Sequence, residues 1–580
     1  MAESEANVAE QDWVSRLADE VIAESERRAP GRPVVCASGL SPSGPIHLGN
    51  LREIMVPHLV ADEIRRRGIE CRHLLSWDDY DRFRKVPAGV DPSWAEHIGK
   101  PLTSVPAPPG SQYASWAEHF KAPMLDALTE LGIEVDGISQ TERYTSGAYR
   151  EQILFAMRER AHIDAVLARY RTLEAVPDDD GPAGGGPASD GPASVDTASV
   201  DTASADTASA DTANPDYFPY RPYCSVCERD LTTVTSYDDD TTELTYTCAC
   251  GHQASVLLSE HSHGKLVWKV DWPMRWAYEG VIFEPSGVDH QSPGSSFVVG
   301  GQLVQEVFGC TQPIGPMYAF VGISGMAKMS SSRGGVPTPA DALAIIEAPL
   351  LRWLYARRKP AQSFNIAFDQ EIHRLYDEWD ALSRKVADST ALPGDLAAYG
   401  RATGTAAGEL PSTPRPLPYR TLASVADITM GHDEQTLRIL SDLDPDHPLG
   451  SLDEARPRLT CADTWVRTQL SPDQRTVVRD EPDTELLSSL TDDQRAALRL
   501  LVAGLDEHWS LAGLTSWVYA VPKIRAGLPP AAKARTPELK AAQREFFVLL
   551  YRLLIGTDTG PRLPTLLLAV GLERARALLD

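Results

Sequence analysis

Residues 33–50 read PVVCASGLSPSGPIHLGN, and this stretch sets the fold class of the chain. The short apolar run at 33–38 suits a buried strand, and it passes into a glycine-rich turn at 39–44. A helical stretch follows at about 46–67, and a second strand-like run covers 71–77. Strand, turn, helix and strand in this order begin a doubly wound α/β domain, which binds ligands beyond the carboxyl ends of its strands.

The size and composition describe an ordinary globular protein of several parts. At 580 residues the chain is too long for one hydrophobic core, so we expect two or three domains. Hydrophobic residues make up 42% and charged residues 23%, as in soluble proteins generally. There is no long uncharged apolar run and no signal-peptide pattern, which predicts a cytoplasmic protein without membrane contact.

The net charge of −26 argues against a protein that binds nucleic acid without specificity, although local basic faces can still contact a specific partner. Residues 177–216 hold nine Asp and no Lys, Arg or Glu, so the rest of the chain keeps a net charge of −17. This segment repeats Ala-Ser-Val-Asp-Thr and Ala-Ser-Ala-Asp-Thr and has almost nothing apolar to bury. It predicts a disordered surface insertion with no part in the chemistry.

Two short motifs carry the chemistry. Residues 45–50 read PIHLGN, and residues 328–332 read KMSSS. Either motif alone is a weak signal, but the pair is highly specific in this order and with the first motif at a strand-to-helix turn. The pair resembles the two signatures of the class I aminoacyl-tRNA synthetases, with serine at the fourth position of the second signature.

The residues of both motifs suit the binding of a nucleoside triphosphate. A helix that begins after a Gly- and Ser-rich turn offers backbone N–H groups to phosphate. His47 adds a side-chain donor, and Gly49 lets a nucleotide approach the backbone closely. Lys328 lies among Gly and Ser residues and can neutralise a departing pyrophosphate. Taken singly, His47 and Lys328 are better explained as a helix-start histidine and a solvated loop lysine, but the two together favour the functional interpretation.

Further blocks narrow the resemblance to the class I lysyl-tRNA synthetases. These blocks are GLSPSG at 39–44, SWDDYDRFRK at 76–85, DWPMRW at 271–276, GVDH at 287–290, RRKP at 357–360 and GPRL at 560–563. They cover most of the chain outside the Asp-rich insertion. The resemblance implies that L-lysine and ATP form lysyl-adenylate, with Mg²⁺ on the phosphates, and that the lysyl group then passes to the terminal 2′-hydroxyl of tRNA(Lys).

The resemblance also implies site residues. The ATP site would comprise Pro45, His47, Gly49, Asn50, Asp289, His290, Lys328, Met329, Ser330 and Ser331, with His47, Asn50 and Lys328 as the catalytic residues. The lysine site would comprise Gly39, Ser41, Asp78, Asp79, Trp272, Trp276 and His290, because an ammonium group needs a carboxylate and favours an aromatic face. Alternatively, the aspartates bind ribose or pair with Arg82 and Arg84, and the tryptophans belong to the core.

A separate signal predicts a metal. Cys224-x2-Cys227 and Cys248-x-Cys250 form two close pairs, which is typical of a closed tetrahedral zinc site with a structural role. His252 is an alternative fourth ligand, and another thiophilic metal remains open.

A further zinc site of some relatives is expected to be absent. The four positions that would hold its ligands carry Ala107, Ser111, Gln112 and His119 here, and alanine cannot bind a metal. We expect the local fold to be held by the packing of neighbouring aromatic residues.

These signals divide the chain. We predict a Rossmann-type catalytic domain at 1–176 and 261–339, the disordered insertion at 177–216, a zinc-binding insertion at 217–260, and an all-α anticodon-binding domain at 340–580. Residues 265–335 look like strands and loops. Basic residues of the last domain suit phosphate contacts or a solvated face: Lys523, Arg525, Lys533, Arg535, Lys540 and Arg544.

Two rival functions stay open beside a monomeric lysine–tRNA ligase that binds no DNA. One is a class I synthetase for arginine or glutamate, although an acidic and aromatic pocket argues against glutamate. The other is a tRNA-binding paralogue without catalysis, against which His47 and Lys328 count and which the lost zinc site favours.

Overall fold

The computed structural model describes residues 12–87, 90–171, 214, 216–324, 336–429, 432–443, 445–471, 474–533 and 536–580. The chain divides into two compact units. The first comprises Met1–Ala342, Leu351–Ile366 and Ala391–Leu410, and the second comprises Leu343–Leu350, Ala367–Thr390 and Pro411–Asp580. Of the predicted Asp-rich insertion only Asn214 and Asp216 are described, and the rest lies outside the described residues.

Strands and helices follow one another along the described chain. The strands are β1 Val34–Leu40, β2 Cys71–Trp77, β3 Asp136–Ser139, β4 Tyr220–Pro222, β5 Thr232–Tyr237, β6 Glu243–Cys248, β7 Gln253–Leu257, β8 Gly264–Leu266, β9 Ser286–Gly287, β10 Met317–Tyr318, β11 Val321–Ile323, β12 Phe364–Ile366, β13 Gly404–Thr405 and β14 Gly408–Glu409. The helices are α1 Trp13–Arg28, α2 Leu51–Arg66, α3 Trp116–Glu130, α4 Gln140–Thr145, α5 Arg150–Arg158, α6 Arg160–Arg171, α7 Trp268–Glu279, α8 Ser296–Glu306, α9 Pro339–Leu343, α10 Ala348–Ala356, α11 Ile372–Ala387, α12 Pro393–Thr403, α13 Tyr419–Thr429, α14 Asp433–Leu443, α15 Arg458–Gln469, α16 Thr484–Ser489, α17 Asp492–Ala503, α18 Leu511–Arg525, α19 Pro537–Ile555, α20 Leu563–Val570 and α21 Leu572–Leu579.

The first unit is built on a parallel sheet. β1 pairs with β2 along its whole length, and β2 pairs with β3. Parallel bridges continue the sheet on the other side of β1, from Cys36 to Phe283 and from Phe283 to Ile314. The resulting order is β3, β2, β1, Phe283, Ile314, which is the doubly wound order whose direction reverses beside β1. The predicted α/β fold class is confirmed.

Helix α2 covers this sheet and follows directly from the first signature. Twelve of its 16 residues are buried, so it is a core helix and not an amphipathic surface helix. Its buried arginine, Arg52, is only 2% exposed, and such a group needs hydrogen-bond partners. It donates to the carbonyls of Ala319 at 3.0 Å and Lys359 at 2.9 Å. The helix therefore ties the signature to two later segments of the first unit.

One expectation for the first unit is wrong. Residues 265–335 looked like strands and loops, but they contain the helices α7 and α8. The tryptophans Trp268, Trp272 and Trp276 recur every four residues, which places them on one side of α7. Their intrinsic preference for strands is overridden because this side packs into the core with Phe297.

The cysteine-rich insertion forms a small β-structure within the first unit. β5, β6 and β7 make an antiparallel sheet, and β4 pairs with β8 where the chain enters and leaves. The hydroxyl of Tyr223 donates to the carbonyl of Tyr80 at 2.6 Å. Burial of this contact fixes the insertion to the loop after β2.

Helices are the secondary structure of the second unit's described residues, which confirms the predicted helical C-terminal region. Its core contains a buried ion pair in which Arg458 Nε donates to Glu347 at 2.7 Å and Nη1 donates to Asp380 at 2.8 Å. The rings of Tyr376 and Tyr419 stack beside it with centroids 3.9 Å apart. Among the described helices of either unit, none combines the length and the apolar character needed to cross a membrane.

Candidate active site

The first signature lies beyond the carboxyl end of β1, in the turn that leads into α2. His47 precedes a 3-10 turn, Leu48–Asn50, whose first side chain is completely buried and anchors the turn in the core. The amide of Asn50 donates to the carbonyl of His47 at 2.9 Å. The first backbone N–H groups of a helix lack partners within it, so this turn presents donors suited to phosphate.

His47 is half-buried in this turn. Burial lowers the pKa of its imidazole, so the ring is neutral at pH 7. Its Nδ1 atom is buried and has no hydrogen-bond partner among the described residues. A buried ring nitrogen of this kind is available to a ligand, and in the tautomer that carries the proton there it can donate to a phosphate oxygen.

The second signature falls in residues 325–335, so Lys328, Met329, Ser330 and Ser331 lie outside the described residues. The chain on both sides is described. β11 pairs with β12, and the amide of Ser324 donates to the carbonyl of Ile366 at 3.1 Å. On the other side the carbonyl of Pro337 accepts a hydrogen bond from the amide of Leu48 at 2.8 Å. The described chain just after the second signature is thus hydrogen-bonded to the first signature.

Asp79, a predicted lysine ligand, is engaged within the protein. It is completely buried, and its carboxylate accepts hydrogen bonds from Lys121 Nζ at 2.5 Å, Ser139 Oγ at 2.8 Å and the Thr141 amide at 2.8 Å. Three donors with one full positive charge satisfy a carboxylate. The geometry favours a structural role that connects β2, β3 and α3.

Asp78 faces a different network. Its amide donates to the carbonyl of Leu40 at 2.8 Å, which places it between the ends of β1 and β2. Its carboxylate accepts from Arg275 Nη1 at 2.6 Å, and Arg275 also pairs with Asp271. Burial raises the pKa of Asp78 to about 6, although the charge of Arg275 opposes the shift. Lys265 joins the same network through Asp271 at 3.7 Å.

The two predicted tryptophans of α7 share one acidic partner. Trp272 Nε1 donates to Glu284 Oε1 at 3.0 Å, and Trp276 Nε1 donates to Oε2 at 2.6 Å. Burial raises the pKa of Glu284 to about 7. Glu284 follows the strand position of Phe283, so the sheet delivers its carboxyl group to the point where the strand order reverses.

Glu53 adds another acid to this place. It lies in the first turn of α2 and is hydrogen-bonded to the backbone of Gly39 and to the hydroxyl of Tyr318. Tyr318 is held there because β10 pairs with β9, opposite Gly287. Burial and the nearby charge of Glu284 raise the pKa of Glu53 to about 8.

Three carboxyl groups with raised pKa values therefore meet at the switch point of the sheet: Glu53, Glu284 and Asp78. Only Asp78 has a cationic side chain in direct contact within the described part of this site. Like charges disfavour one another's ionisation, and a bound cation would relieve that repulsion. Glu53, Glu284 and Tyr318 were not expected from the sequence. An acidic residue directly after the apolar run 281–283 was a usable signal for Glu284.

The remaining predicted residues divide into two groups. His290 lies beside the tryptophans, with its ring centroid 5.6 Å from that of Trp272, and burial lowers its pKa. Asp289 is exposed, as are Ser41 and Pro45 in the loop after β1. The structure brings Gly39, Asp78, Trp272, Trp276 and His290 together around Glu53 and Glu284. The roles of all these residues stay predictions.

The four predicted cysteine ligands do converge. The Sγ atoms of Cys224, Cys227, Cys248 and Cys250 all lie within 4.8 Å of one another. Two of the separations are 3.8 and 3.6 Å, close to the edge of about 3.8 Å of a tetrahedron with Zn–S bonds of about 2.3 Å. His252 Nε2 instead contacts Ser225 Oγ at 3.1 Å. The four thiols fit a closed metal site without a histidine.

The segment where some relatives hold a second zinc is organised by other contacts. Ser111 Oγ and His119 Nδ1 are hydrogen-bonded at 2.9 Å. Trp116 packs against Phe83 and Phe120, with both ring-centroid distances at 5.0 Å. The absence of a second metal here stays a prediction.

Known proteins resemble this chain over nearly its whole length. The family model described as tRNA synthetases class I (K) matches residues 11–398. The lysine–tRNA ligase of Streptomyces coelicolor (strain ATCC BAA-471 / A3(2) / M145) is 68% identical over 98% of each chain. The lysine–tRNA ligase of Pyrococcus horikoshii (strain ATCC 700860 / DSM 12428 / JCM 9974 / NBRC 100139 / OT-3) is 31% identical over 96% of each chain, and that of Treponema pallidum (strain Nichols) is 30% identical over 98% of each chain.

A family match of this extent, a 68% identical relative and a signature turn at the switch point of a parallel sheet all agree. The chain belongs to the class I lysyl-tRNA synthetases.

Proposed function

We infer that the chain is an ATP-dependent lysine–tRNA ligase that charges tRNA(Lys) with L-lysine. The observation that carries this function is the 68% identity to the Streptomyces coelicolor lysine–tRNA ligase over 98% of both chains. The site agrees with a cationic substrate because three buried carboxyl groups meet beside two tryptophans.

The reaction has two steps. The lysine carboxylate attacks the α-phosphorus of ATP, which enters as its Mg²⁺ complex, and pyrophosphate leaves as the lysyl-adenylate forms. The terminal 2′-hydroxyl of the tRNA then attacks the lysyl carbonyl carbon, loses its proton, and AMP departs. Both nucleophiles belong to the substrates, so the protein acts by positioning the reactants and by stabilising developing charge.

ATP is assigned to the turn before α2 and to the second signature. His47 donates through its unpartnered Nδ1 atom to a phosphate oxygen, and Asn50 with Gly49 shapes the turn around the triphosphate. Lys328 neutralises the leaving pyrophosphate. The hydrogen bond between Leu48 and Pro337 supports this assignment because it brings the two signatures to one place. His290 and Asp289 border the nucleotide from the opposite side of the switch point.

The lysine side chain is assigned to the carboxyl cluster. The ammonium group binds Glu53 and Glu284, while Trp272 and Tyr318 flank its aliphatic part. Asp78 contributes negative potential and stays paired with Arg275. Asp79 is the weakest member of the predicted set, since Lys121 already neutralises it. Gly39 keeps the backbone open beside Glu53, and Ser41 lies at the outer edge.

Three further assignments complete the function. The four cysteines hold one structural zinc ion, which in a closed thiolate site organises the local fold and takes no part in the reaction. The helical second unit contacts tRNA. We assign the charging of tRNA to a monomer in the cytoplasm.

The two rival functions make different demands on the site. Glutamate would need a basic residue where the described structure brings three carboxyl groups together. Arginine is a closer competitor because a guanidinium also seeks carboxylates. A paralogue without catalysis would have no need of a neutral, unpartnered histidine in the signature turn.

The function is tested by amino-acid-dependent ATP–pyrophosphate exchange with purified protein and added tRNA. Lysine, arginine and glutamate are compared for the wild type, His47→Ala, Lys328→Ala and Lys385→Ala. Lys385 is an exposed lysine of α11 and serves as the matched control. We expect lysine alone to support exchange, with losses of about 100-fold or more for the two signature variants and none for the control.

Each other outcome identifies a rival. Exchange with arginine or glutamate in place of lysine would keep the class I chemistry and overturn the assigned pocket. No exchange with any of the three amino acids, with tRNA present, would establish the non-catalytic tRNA-binding paralogue.

A further inference from the structure

A buried network of charges adjoins the assigned lysine site at Asp78. Its centre is Arg275 of α7, which is only 6% exposed. Arg275 Nη1 donates to Asp78 Oδ1 at 2.6 Å and to Ser76 Oγ at 3.1 Å. Nε donates to Asp271 Oδ1 at 3.1 Å, and Nη2 donates to the other oxygen of the same carboxylate. The guanidinium group therefore bridges the end of β2 and the first turn of α7.

The same guanidinium group also faces an aromatic ring. The Cζ atom of Arg275 lies 5.6 Å from the centroid of the Trp268 ring. Guanidinium groups favour planar carboxylates, which they bind through two donors, and they stack on aromatic faces. Arg275 thus already holds the kinds of partner that the side chain of a bound arginine would need.

A second cation completes the network. Lys265 of β8 pairs with Asp81 at 2.5 Å and contacts Asp271 at 3.7 Å. The hydroxyl of Tyr144 donates to Asp271 at 2.6 Å. The network therefore contains three aspartates and two cations, so its aspartates exceed its cations by one. Because these groups are buried, loss of a single charge would be costly.

The charges of this network reach the assigned lysine site. Asp78 lies close enough to Glu53 and Glu284 for its negative charge to raise the pKa of both carboxyl groups. The positive charge of Arg275 acts on the pKa of Glu284 in the opposite direction. Asp78 is therefore the carboxylate that the network and the lysine site share.

We propose that Arg275 determines the specificity of the site by excluding arginine, because its own guanidinium group occupies the Asp78 carboxylate that a substrate guanidinium group would use. The inference rests on the proposed function, since it concerns the choice of amino acid in the assigned lysine site. The compact ammonium group of lysine needs only Glu53 and Glu284. Arginine has a longer side chain with a planar fork of donors, and at Asp78 it would meet the positive charge of Arg275.

A purely structural role of Arg275 makes a different prediction. If the guanidinium group did no more than neutralise buried aspartates, its loss would weaken the reactions of lysine and arginine alike. Exclusion predicts that its loss changes the ratio between the two amino acids. The test must therefore remove Arg275 without leaving the network with an additional uncompensated charge.

Two double variants meet this requirement, because each removes one cation and one aspartate from the network. Arg275→Ala/Asp271→Asn leaves Asp78 free at the lysine site, whereas Arg275→Ala/Asp78→Asn removes that carboxylate. ATP–pyrophosphate exchange by the full-length protein with tRNA gives kcat/KM for lysine and for arginine. In the first variant, exchange with arginine should appear, and the ratio of kcat/KM for lysine to that for arginine should fall about 100-fold or more. The second variant should gain no exchange with arginine.

Binding is measured separately from catalysis by differential scanning fluorimetry. Arginine should raise the Tm of Arg275→Ala/Asp271→Asn at concentrations that leave the Tm of the wild type unchanged. Free guanidinium ion, added below denaturing concentrations, should fill the vacated space and suppress exchange with arginine. If this variant does not fold, Arg275→Gln replaces it, since glutamine keeps most of the side-chain length and leaves Asp78 without a cation. There the lysine-to-arginine ratio should fall about tenfold.

Two results would overturn the proposal and leave the proposed function intact. One is a folded Arg275→Ala/Asp271→Asn variant whose Tm and exchange do not respond to arginine, which would give Arg275 a structural role only. The other is an equal gain of exchange with arginine in both double variants, which would show that Asp78 is not the carboxylate concerned. A wild type that exchanges with arginine and not with lysine would instead refute the proposed function itself.

Discussion

The protonation state of Glu53 should depend on whether the substrate lysine is bound. An ordinary glutamate titrates near 4.5, but burial and the neighbouring Glu284 raise the pKa of Glu53 to about 8. Without bound substrate, this carboxyl group is therefore largely protonated at neutral pH. A bound ammonium group would return it to the ionised form, so binding of lysine should release a proton.

Glu53→Gln should separate function from stability. We expect the KM for lysine to rise on the order of 100-fold in tRNA charging, because the ammonium group loses a buried partner. The same substitution should also change how the stability of the protein depends on pH. Between pH 4.5 and 8 the folded wild type binds more protons at Glu53 than the unfolded chain, so its stability falls as the pH rises through this window.

The Glu53→Gln variant has no carboxyl group to ionise, so it should not lose stability at this position as the pH rises. Its Tm minus that of the wild type should therefore increase from pH 5 to pH 8.5, as measured by differential scanning fluorimetry. A difference that stays flat across this range would mean that Glu53 ionises normally in the fold.

Asp79 differs from Glu53 because donors within the protein already fill the hydrogen-bonding capacity of its carboxylate. Asp79→Asn leaves Lys121 buried opposite a neutral group, and we expect it to lower the free energy of unfolding by about 3–5 kcal/mol in urea titrations. The double variant Asp79→Asn/Lys121→Met removes both charges and should recover much of this loss. A stable Asp79→Asn variant with an impaired KM for lysine would restore the predicted role as a ligand.

At the scale of elements, helix α2 connects the site to the rest of the first unit. Its residue Arg52 donates to two backbone carbonyls, those of Ala319 and Lys359, and burial lowers the pKa of Arg52 to about 10. Ala319 lies two residues before β11, the strand that leads towards the second signature. Loss of these contacts should disturb both the fold and the position of that segment.

Arg52→Met tests this connection. The two hydrogen bonds from the buried guanidinium group would be lost, so we expect a loss of about 2–4 kcal/mol in the free energy of unfolding. The kcat of pyrophosphate exchange should fall more than the KM for lysine rises, since the hydrogen bonds of Arg52 go to two backbone carbonyls and not to Glu53 or Glu284. Arg32→Met, which removes an exposed arginine of the first unit, is the control.

The metal module is a second element with its own prediction. Purified protein should contain about one zinc ion per chain, and Cys248→Ser should lose it and melt at a lower temperature. His252→Ala should keep the zinc ion, because His252 contacts Ser225 and not the thiol cluster. Zinc is measured by atomic emission after dialysis. Loss of zinc in the histidine variant would show a ligand set different from the four cysteines.

Some helices and strands could be predicted from the sequence, and others could not. The strand β1 was predictable because an apolar run ended at a glycine-rich turn, and β2 was predictable because a strand-like run ended at the acidic residues after Trp77. Helix α7 was not, since its tryptophans favour strands locally and only the core decides otherwise. Within the site, Glu53 stayed hidden because a glutamate in the first turn of a helix is common for reasons of the helix dipole. The pairing of Asp79 with Lys121 joins residues 42 positions apart, which no local pattern shows.

At the scale of the whole molecule, the Asp-rich segment is strongly acidic and carries none of the assigned chemistry. Residues 177–213 contain eight of the 81 acidic residues. The amide of Asn214, which follows the segment, donates to Asp164 of α6 at 2.6 Å, and this helix ends at Arg171, which precedes the segment. The insertion thus leaves from and returns to one helix of the first unit.

Replacing residues 177–213 with a short Gly-Ser linker should therefore leave kcat and the KM for lysine within about twofold of the wild type. The KM for tRNA should stay the same or fall, since eight negative charges are removed. Steady-state charging assays measure all three constants. A large fall in kcat would assign the segment a part in the reaction.

The pairing of β4 with β8 has a consequence beyond this enzyme. The chain enters the cysteine-rich module through Tyr220–Pro222 and leaves it through Gly264–Leu266, and these stretches are hydrogen-bonded neighbours. The residues between them form an insertion whose two ends are adjacent in space. The length of this module can therefore change with little displacement of the catalytic sheet, provided that the hydrogen bonds of Tyr223 to Tyr80 and of Asp230 to Gly99 are kept. Under the same condition, the two paired strands are a place where protein engineers could insert a sensor domain.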